Sequence, residues 1–324
     1  DAIIANPPYF KLRQDDPRVR AVGDLLSGRT NIYTLFMSAG IELLSPKGRM
    51  CFIVPRSFCS GAYFAKFRQN LLHKSVPLRI HLFESREEAF DDVLQENLII
   101  TLRERQEAEE LPEVLTISTS YGADELELSA LERDVAFSHF VGSMGNSPYF
   151  RLPMNELDEQ IIEIVDSWPG SLEKYGLQIS TGPVVAFRTR SFLCDEDAVR
   201  AGKAVPLYWL RNVRPHNLIW PMAKGKKPQG IAMDAKSESL LLPSANYVLL
   251  RRFSAKEDRR RLIAAPFLHA NYSYGDVGLE NHLNYIYRDH GELTVSEARG
   301  FSALLGSALI DRYVRIANGN TQVN

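Results

Sequence analysis

The chain opens on a short, unbroken apolar run, residues 2–5, that Asn6-Pro7-Pro8-Tyr9 cuts off. Such a run predicts a buried parallel strand. Apolar residues then recur at helical spacing through Thr30-Asn31-Ile32-Tyr33-Thr34-Leu35-Phe36 to Ile41-Glu42-Leu43-Leu44, and Ser45-Pro46-Lys47-Gly48 ends that helix. Residues 49–55 read as a second buried strand, about 62–72 as a helix, and 78–83 as a strand. The turn Phe90-Asp91-Asp92-Val93-Leu94-Gln95 leads to a last strand at 97–102. Glutamate-rich residues 104–113 predict a solvated connection. After it come a strand at 114–118, a short helix at 125–133 and an amphipathic helix at 157–168 stopped by Pro169-Gly170.

The second half carries shorter signals spaced by turns. Strands are predicted within 177–185, 207–210, 247–253, 261–265 and 283–287. Helical periodicity returns at 296–308, and 307–316 continues it or forms a second helix. This pattern divides the chain into 1–113, a bridging segment at 114–170, and a strand-rich α+β module at 171–324. No internal repeat stands out.

The tetrapeptide at 6–9 carries the clearest chemistry. Pro7 and Pro8 fix φ and supply no N–H, and Pro7 biases Asn6 toward an extended conformation. A stiff loop with free carbonyls results, at the end of a strand where open α/β sheets place their sites. A side-chain amide oxygen and a backbone carbonyl can accept both N–H bonds of an exocyclic amine, and so aim its lone pair at a methyl sulfonium without a strong base. Tyr9 offers a flat face for an extruded base. The plain alternative is a proline turn with Asn6 capping its own backbone.

On these residues positions 1–105 resemble the second half of the catalytic domain of the gamma-class, TaqI-like N6-adenine DNA methyltransferases. The order matches: an Asn-Pro-Pro-Tyr loop, an Asn-x-Tyr helix, a Pro-x-Gly turn, and a strand ending in Val54-Pro55. The resemblance implies a partial Rossmann-like α/β sheet of later strands only. It assigns Asn6, Pro7, Pro8 and Tyr9 to the catalytic loop, Phe90 to contact with a flipped base, and Phe36 to the neighbourhood of S-adenosylmethionine. Phe90 is otherwise ordinary packing under a loop, and Phe36 is otherwise a core residue. In the second half, Ser180-Thr181-Gly182-Pro183-Val184-Val185, Leu249-Leu250-Arg251-Arg252-Phe253-Ser254, Leu279-Glu280-Asn281-His282-Leu283 and the terminal Asn318-Gly319-Asn320-Thr321-Gln322-Val323-Asn324 resemble the target-recognition domains of the same enzymes. No Gly-x-Gly signature follows a strand, so the main donor-binding motif is expected outside this chain, in a missing N-terminal catalytic half or a partner subunit. This piece alone is then expected to be inactive.

Composition fits a folded soluble protein, with 45% hydrophobic and 24% charged residues. No apolar run reaches membrane-spanning length, and Cys51, Cys59 and Cys194 show no metal spacing. A cytoplasmic setting in a bacterium or archaeon is expected. A net charge of −2 does not advertise nucleic-acid binding, so DNA contacts depend on where charge is placed. Candidates are Arg188, Arg190, Arg211, Arg214, Lys224, Lys226, Lys227 and Arg251, each of which is otherwise a solvated surface charge. Arg259-Arg260-Arg261 reads as a charged helix face or a partner for Glu257 and Asp258, and His282 as a hydrogen-bonded histidine sooner than a metal ligand or base. The expected function is site-specific adenine-N6 methylation of double-stranded DNA in a restriction-modification or defence system. Alternatives are a non-catalytic DNA-specificity module, or methylation of another planar amine such as an RNA adenine or a protein glutamine.

Overall fold

The computed structural model of the 324-residue chain describes residues 1–13, 15–22, 31–83, 96–122, 131–222, 227–254 and 258–318. The chain forms two compact units. One comprises residues 1–166 and 315–320, the other chiefly 167–314. The stretch at 114–166 therefore clusters with the first unit.

The first unit begins with β1 (Ala2–Ala5), α1 (Pro17–Val22), α2 (Ile32–Leu43), β2 (Arg49–Pro55), α3 (Ala65–Lys74), β3 (Ser75–Phe83) and β4 (Asn97–Glu104). It continues through β5 (Val114–Ser120), β6 (Leu131–Ala136), α4 (Phe137–Phe140), the hairpin β7 (Val141–Met144) and β8 (Ser147–Phe150), and α5 (Glu156–Asp166). Six strands make one sheet in the order β1-β2-β4-β3-β5-β6. β1 pairs parallel to β2, and β3 parallel to β5. The β2–β4, β3–β4 and β5–β6 pairs are antiparallel.

One face of this sheet packs on the helices. Tyr33, Met37 and Ile41 of α2 and Phe67 and Leu71 of α3 meet Phe52, Val54, Ile80, Leu98 and Ile100 in a single core. The opposite face is less covered: Cys51, Ile53, Ile99 and Thr101 are only half-buried, and Ile4 on the edge strand is 84% exposed. The hairpin between β7 and β8 turns at Gly145, whose φ of 58° suits glycine.

The structure corrects one element. Residues 131–133, expected in a helix, begin β6, where Leu131 to Ala136 pair with β5. Helix formers such as Leu131, Glu132 and Arg133 are overruled by an edge of β5 that needs a partner. The rest of that expected helix lies outside the described residues.

The second unit holds β9 (Leu177–Thr181), β10 (Leu193–Cys194), α6 (Glu196–Arg200), β11 (Ala204–Tyr208), the ribbon β12 (Val213–Arg214) and β13 (Asn217–Leu218), and β14 (Gly230–Ala232). β15 (Leu241–Pro243), β16 (Tyr247–Arg251), β17 (Ala264–Phe267), β18 (Asp276–Leu279), β19 (Leu283–Arg288), α7 (Val295–Leu305) and α8 (Ala308–Ala317) follow. They build a five-stranded sheet, β10-β14-β11-β18-β15, and a four-stranded one, β17-β16-β19-β9. α7 starts at a capping box, in which the Thr294 hydroxyl accepts the Glu297 N–H and Glu297 accepts the Thr294 N–H. From Arg315 on, the end of α8 clusters with the first unit. Residues 259–261 do not form a helix. Arg261 is buried there and its backbone N–H bonds the Asp311 carboxylate.

Candidate active site

β1 ends because its sequence removes the donors the ladder needs. The last pair is Ala5 with Phe52, and Pro7 and Pro8 have no N–H to extend it. The carbonyl of Ile53, one residue past that pair, is taken by the Tyr9 hydroxyl at 2.9 Å. The same hydroxyl lies 2.7 Å from Oδ1 of Asn6. Pro7 is buried, while Asn6 and Pro8 are exposed. The loop is thus pinned at its proline and its tyrosine, and the exposed Asn6 turns its amide oxygen back onto the tyrosine hydroxyl.

Tyr9 is further held by the core. Its ring meets Tyr33 edge-on at 6.2 Å, and Tyr33 stacks on Phe64 at 5.9 Å. The Tyr33 hydroxyl pairs with Ser57 Oγ at 3.1 Å. Partial burial raises the Tyr9 hydroxyl pKa above its ordinary value, so it stays a protonated donor at neutral pH. Beyond it the Ile32 N–H bonds the Phe10 carbonyl at 2.9 Å, which ties the loop to the start of α2.

Sequence reasoning did not find the buried arginine that follows β2. Arg56, next after β2, is 92% buried and reaches Glu96 Oε2 at 3.1 Å. Its other terminal nitrogen donates to the carbonyls of Arg315 and Ile316 at 3.0 and 2.9 Å. These carbonyls belong to the last turn of α8, where backbone acceptors lack helical partners. No sequence signal links positions 56, 96 and 315; only a charged residue set against an apolar strand hints that a partner exists.

Of the other assigned residues, Phe36 stands on α2 away from the core and is 46% exposed. It is therefore no core residue. Phe90, Lys224 and Lys226 lie outside the described residues. Arg188, Arg190, Arg211 and Arg214 are exposed in the second unit. Arg188 lies over the Phe187 ring at 5.3 Å, and Lys227 holds its ammonium 4.1 Å from the Trp209 centroid. Arg251 is half-buried and donates to the Val213 carbonyl at 2.9 Å. His282 is hydrogen-bonded, to Glu280.

A cavity of about 600 Å³, lined in part by Leu44, Lys74 and Glu104, opens at the end of the sheet where β1 starts, away from Asn6. Among the described residues no group of three or more His, Cys, Asp or Glu side chains is placed to hold a metal. No described helix is long and apolar enough to cross a membrane.

Comparison with known proteins adds kinship to this geometry. Residues 1–90 match the family model described as Eco57I restriction-modification methylase. The chain is 34% identical over 323 residues to the type II methyltransferase M.PstI of Providencia stuartii, covering 99% of this chain and 62% of that protein. The same figures hold for M.BsuBI of Bacillus subtilis. The chain thus spans less than two thirds of these relatives. Its fold is similar to that of the type IIL restriction-modification enzyme MmeI, solved in complex with DNA, with a TM-score of 0.52 at 10% identity over 90% of this chain and 41% of that one. Over 99% of its own length this mixed α/β, several-sheeted chain is thus a homologue of the type II methyltransferases M.PstI and M.BsuBI, and its first 90 residues carry the match to the Eco57I restriction-modification methylase model.

Proposed function

We propose that the protein carrying this chain is a type II restriction-modification methyltransferase that methylates the N6 amine of an adenine in double-stranded DNA. The observation that carries this reading is the Asn6–Tyr9 corner: an exposed amide and a carbonyl-rich turn, fixed at a strand end by Pro7 and by the Tyr9 hydroxyl. The kinship to M.PstI and M.BsuBI supports it. In this reading the first unit does the chemistry and the second, with its exposed arginines, grips and reads DNA.

The residues act as follows. The Tyr9 hydroxyl has one proton and two oxygen neighbours. When it donates to Ile53, the Asn6 amide turns its NH2 toward the tyrosine oxygen, an orientation that the 2.7 Å contact also satisfies. Oδ1 of Asn6 is then released to accept one N–H of a flipped adenine, and the Pro7 carbonyl accepts the other. The amine is held pyramidal, with its lone pair directed outward. The ring of Tyr9, with Phe90, supports the extruded base.

S-adenosylmethionine, when bound, supplies the methyl group. The described residues suit the acceptor amine and not a whole donor. Phe36 is one exposed aromatic wall, and the 600 Å³ cavity lies at the other end of the sheet. We therefore place most of the donor site in a further portion or a partner subunit, against the open edge of β1 and the half-covered sheet face.

The test is expression of the full-length protein in cells without DNA adenine methylation, followed by nucleoside mass spectrometry. N6-methyladenine in genomic DNA, absent with Asn6→Ala, is the expected result. Unmethylated DNA alongside methylated RNA or protein glutamine would move the activity to another acceptor.

A further inference from the structure

Resting on the DNA-modification reading above, we infer that His282 is a base-edge contact of the second unit, aimed by the buried carboxylate of Glu280. The turn between β18 and β19 places the two together. Glu280 is 2% exposed. One of its oxygens accepts the backbone N–H of His282 at 3.0 Å, and the other bonds His282 Nδ1. A carboxylate withdrawn from water is costly unless its hydrogen bonds are made. Both bonds here come from one residue, and that residue's side chain is half-exposed.

The arrangement fixes the ring. A carboxylate can only accept, so Nδ1 carries the proton, and Nε2 is the nitrogen left for another partner. Among the described residues Nε2 has no bond. Phe253 packs beside the imidazole at 5.1 Å between ring centroids, which restricts its swing.

The backbone beneath is equally constrained. Asn281 N–H bonds the Val184 carbonyl, Val184 N–H bonds the Leu279 carbonyl, and Arg252 N–H bonds the His282 carbonyl, all at 3.0 Å. Gly182 is pressed against the same turn, since a Cβ there would lie 2.5 Å from the Glu280 carbonyl oxygen. The loop with Arg188 and Arg190 starts at Val185, beside this anchor. Exposed arginines on flexible stems suit phosphates, which tolerate loose geometry. An imidazole with one fixed nitrogen suits the hydrogen-bonding edge of a base, which does not.

The experiment is binding selection on the full-length protein with a duplex pool randomised over its centre, for wild type, His282→Ala and Glu280→Gln, with salt titrations and thermal melting alongside. For His282→Ala we expect preference at a single base pair to fall about tenfold, with the salt slope and melting temperature unchanged. Glu280→Gln, whose single amide oxygen can accept from Nδ1 or from the His282 N–H but not from both, should shift the same base pair by less. Unchanged preferences at every position would overturn the inference. So would uniform weakening with a salt slope lowered by about one, which marks a phosphate contact, or loss at many positions with a lowered melting temperature, which marks a structural role. A wild type without any sequence preference would instead defeat the DNA-modification reading itself.

Discussion

The corner at residues 6–9 and the arginines of the second unit are held in opposite ways. The corner is tied to the protein's own backbone: its tyrosine bonds a strand carbonyl and its proline is buried in the first unit. Arg188 and Arg190 stand on an exposed turn, with Arg188 resting on the ring of its neighbour Phe187. Fixed placement suits a step whose rate depends on angles of approach. Loose placement suits charge, which acts over a distance and averages over rotamers. Changes at the corner should therefore alter turnover more than binding, and changes at the arginines should do the reverse.

The largest break is expected at Asn6. In the full-length protein, Asn6→Ala should lower methyl transfer by about 100-fold or more, the scale for losing a transition-state hydrogen-bond partner, while gel-shift affinity for duplex DNA stays within about twofold. A parallel loss of binding would erase the contrast.

Arg56→Ala comes next and acts on stability. It removes the guanidinium from the Glu96 carboxylate, 7% exposed, and from the Arg315 and Ile316 carbonyls, and losing one partner of a buried pair costs about 3–5 kcal/mol. Urea denaturation should show this loss. A shift under 1 kcal/mol would mean that the buried pair contributes little to the stability of the first unit.

Tyr9 sharpens the picture by separating ring from hydroxyl. Tyr9→Ala should weaken capture of a flipped base by about 1–3 kcal/mol, the range for aromatic–base stacking, read from a fluorescent base analogue at the target position. Tyr9→Phe keeps the ring but frees the Ile53 carbonyl and the Asn6 amide, and should reduce turnover with base capture retained. The smallest effect belongs to Arg188→Ala, a few-fold loss of affinity with the salt slope lowered by about one. A large change in turnover there would contradict the loose-contact reading.

Sequence pattern disclosed the first unit better than the second, for physical reasons. β1, β2 and β4 are near-continuous apolar runs, and α2 has a wide apolar stripe, so period alone finds them. β3 starts at Ser75, three residues before its expected start, because Pro77 sits inside it beside a register shift. β14 and β18 have three and four residues, too few to show any period. β6 departs from the expected helix since local propensity favours helix while pairing to β5 decides otherwise. At the site, Asn6 to Tyr9 are contiguous and so visible. The Tyr9–Ile53 bond and the Arg56–Glu96 pair join residues 44 and 40 positions apart, and no local pattern encodes them.

The guanidinium of Arg56 also bears on how the chain is made. Its two carbonyl acceptors lie 259 and 260 residues downstream, so they leave the ribosome long after the residues of β2. Until then one of its nitrogens must stay hydrated, and the entropy of closing that long loop must be met before the contact is gained. Until residues 315 and 316 are made, the Arg56 guanidinium lacks these two hydrogen bonds. Completion of α8 is thus a late checkpoint on the strand end from which Arg56 departs.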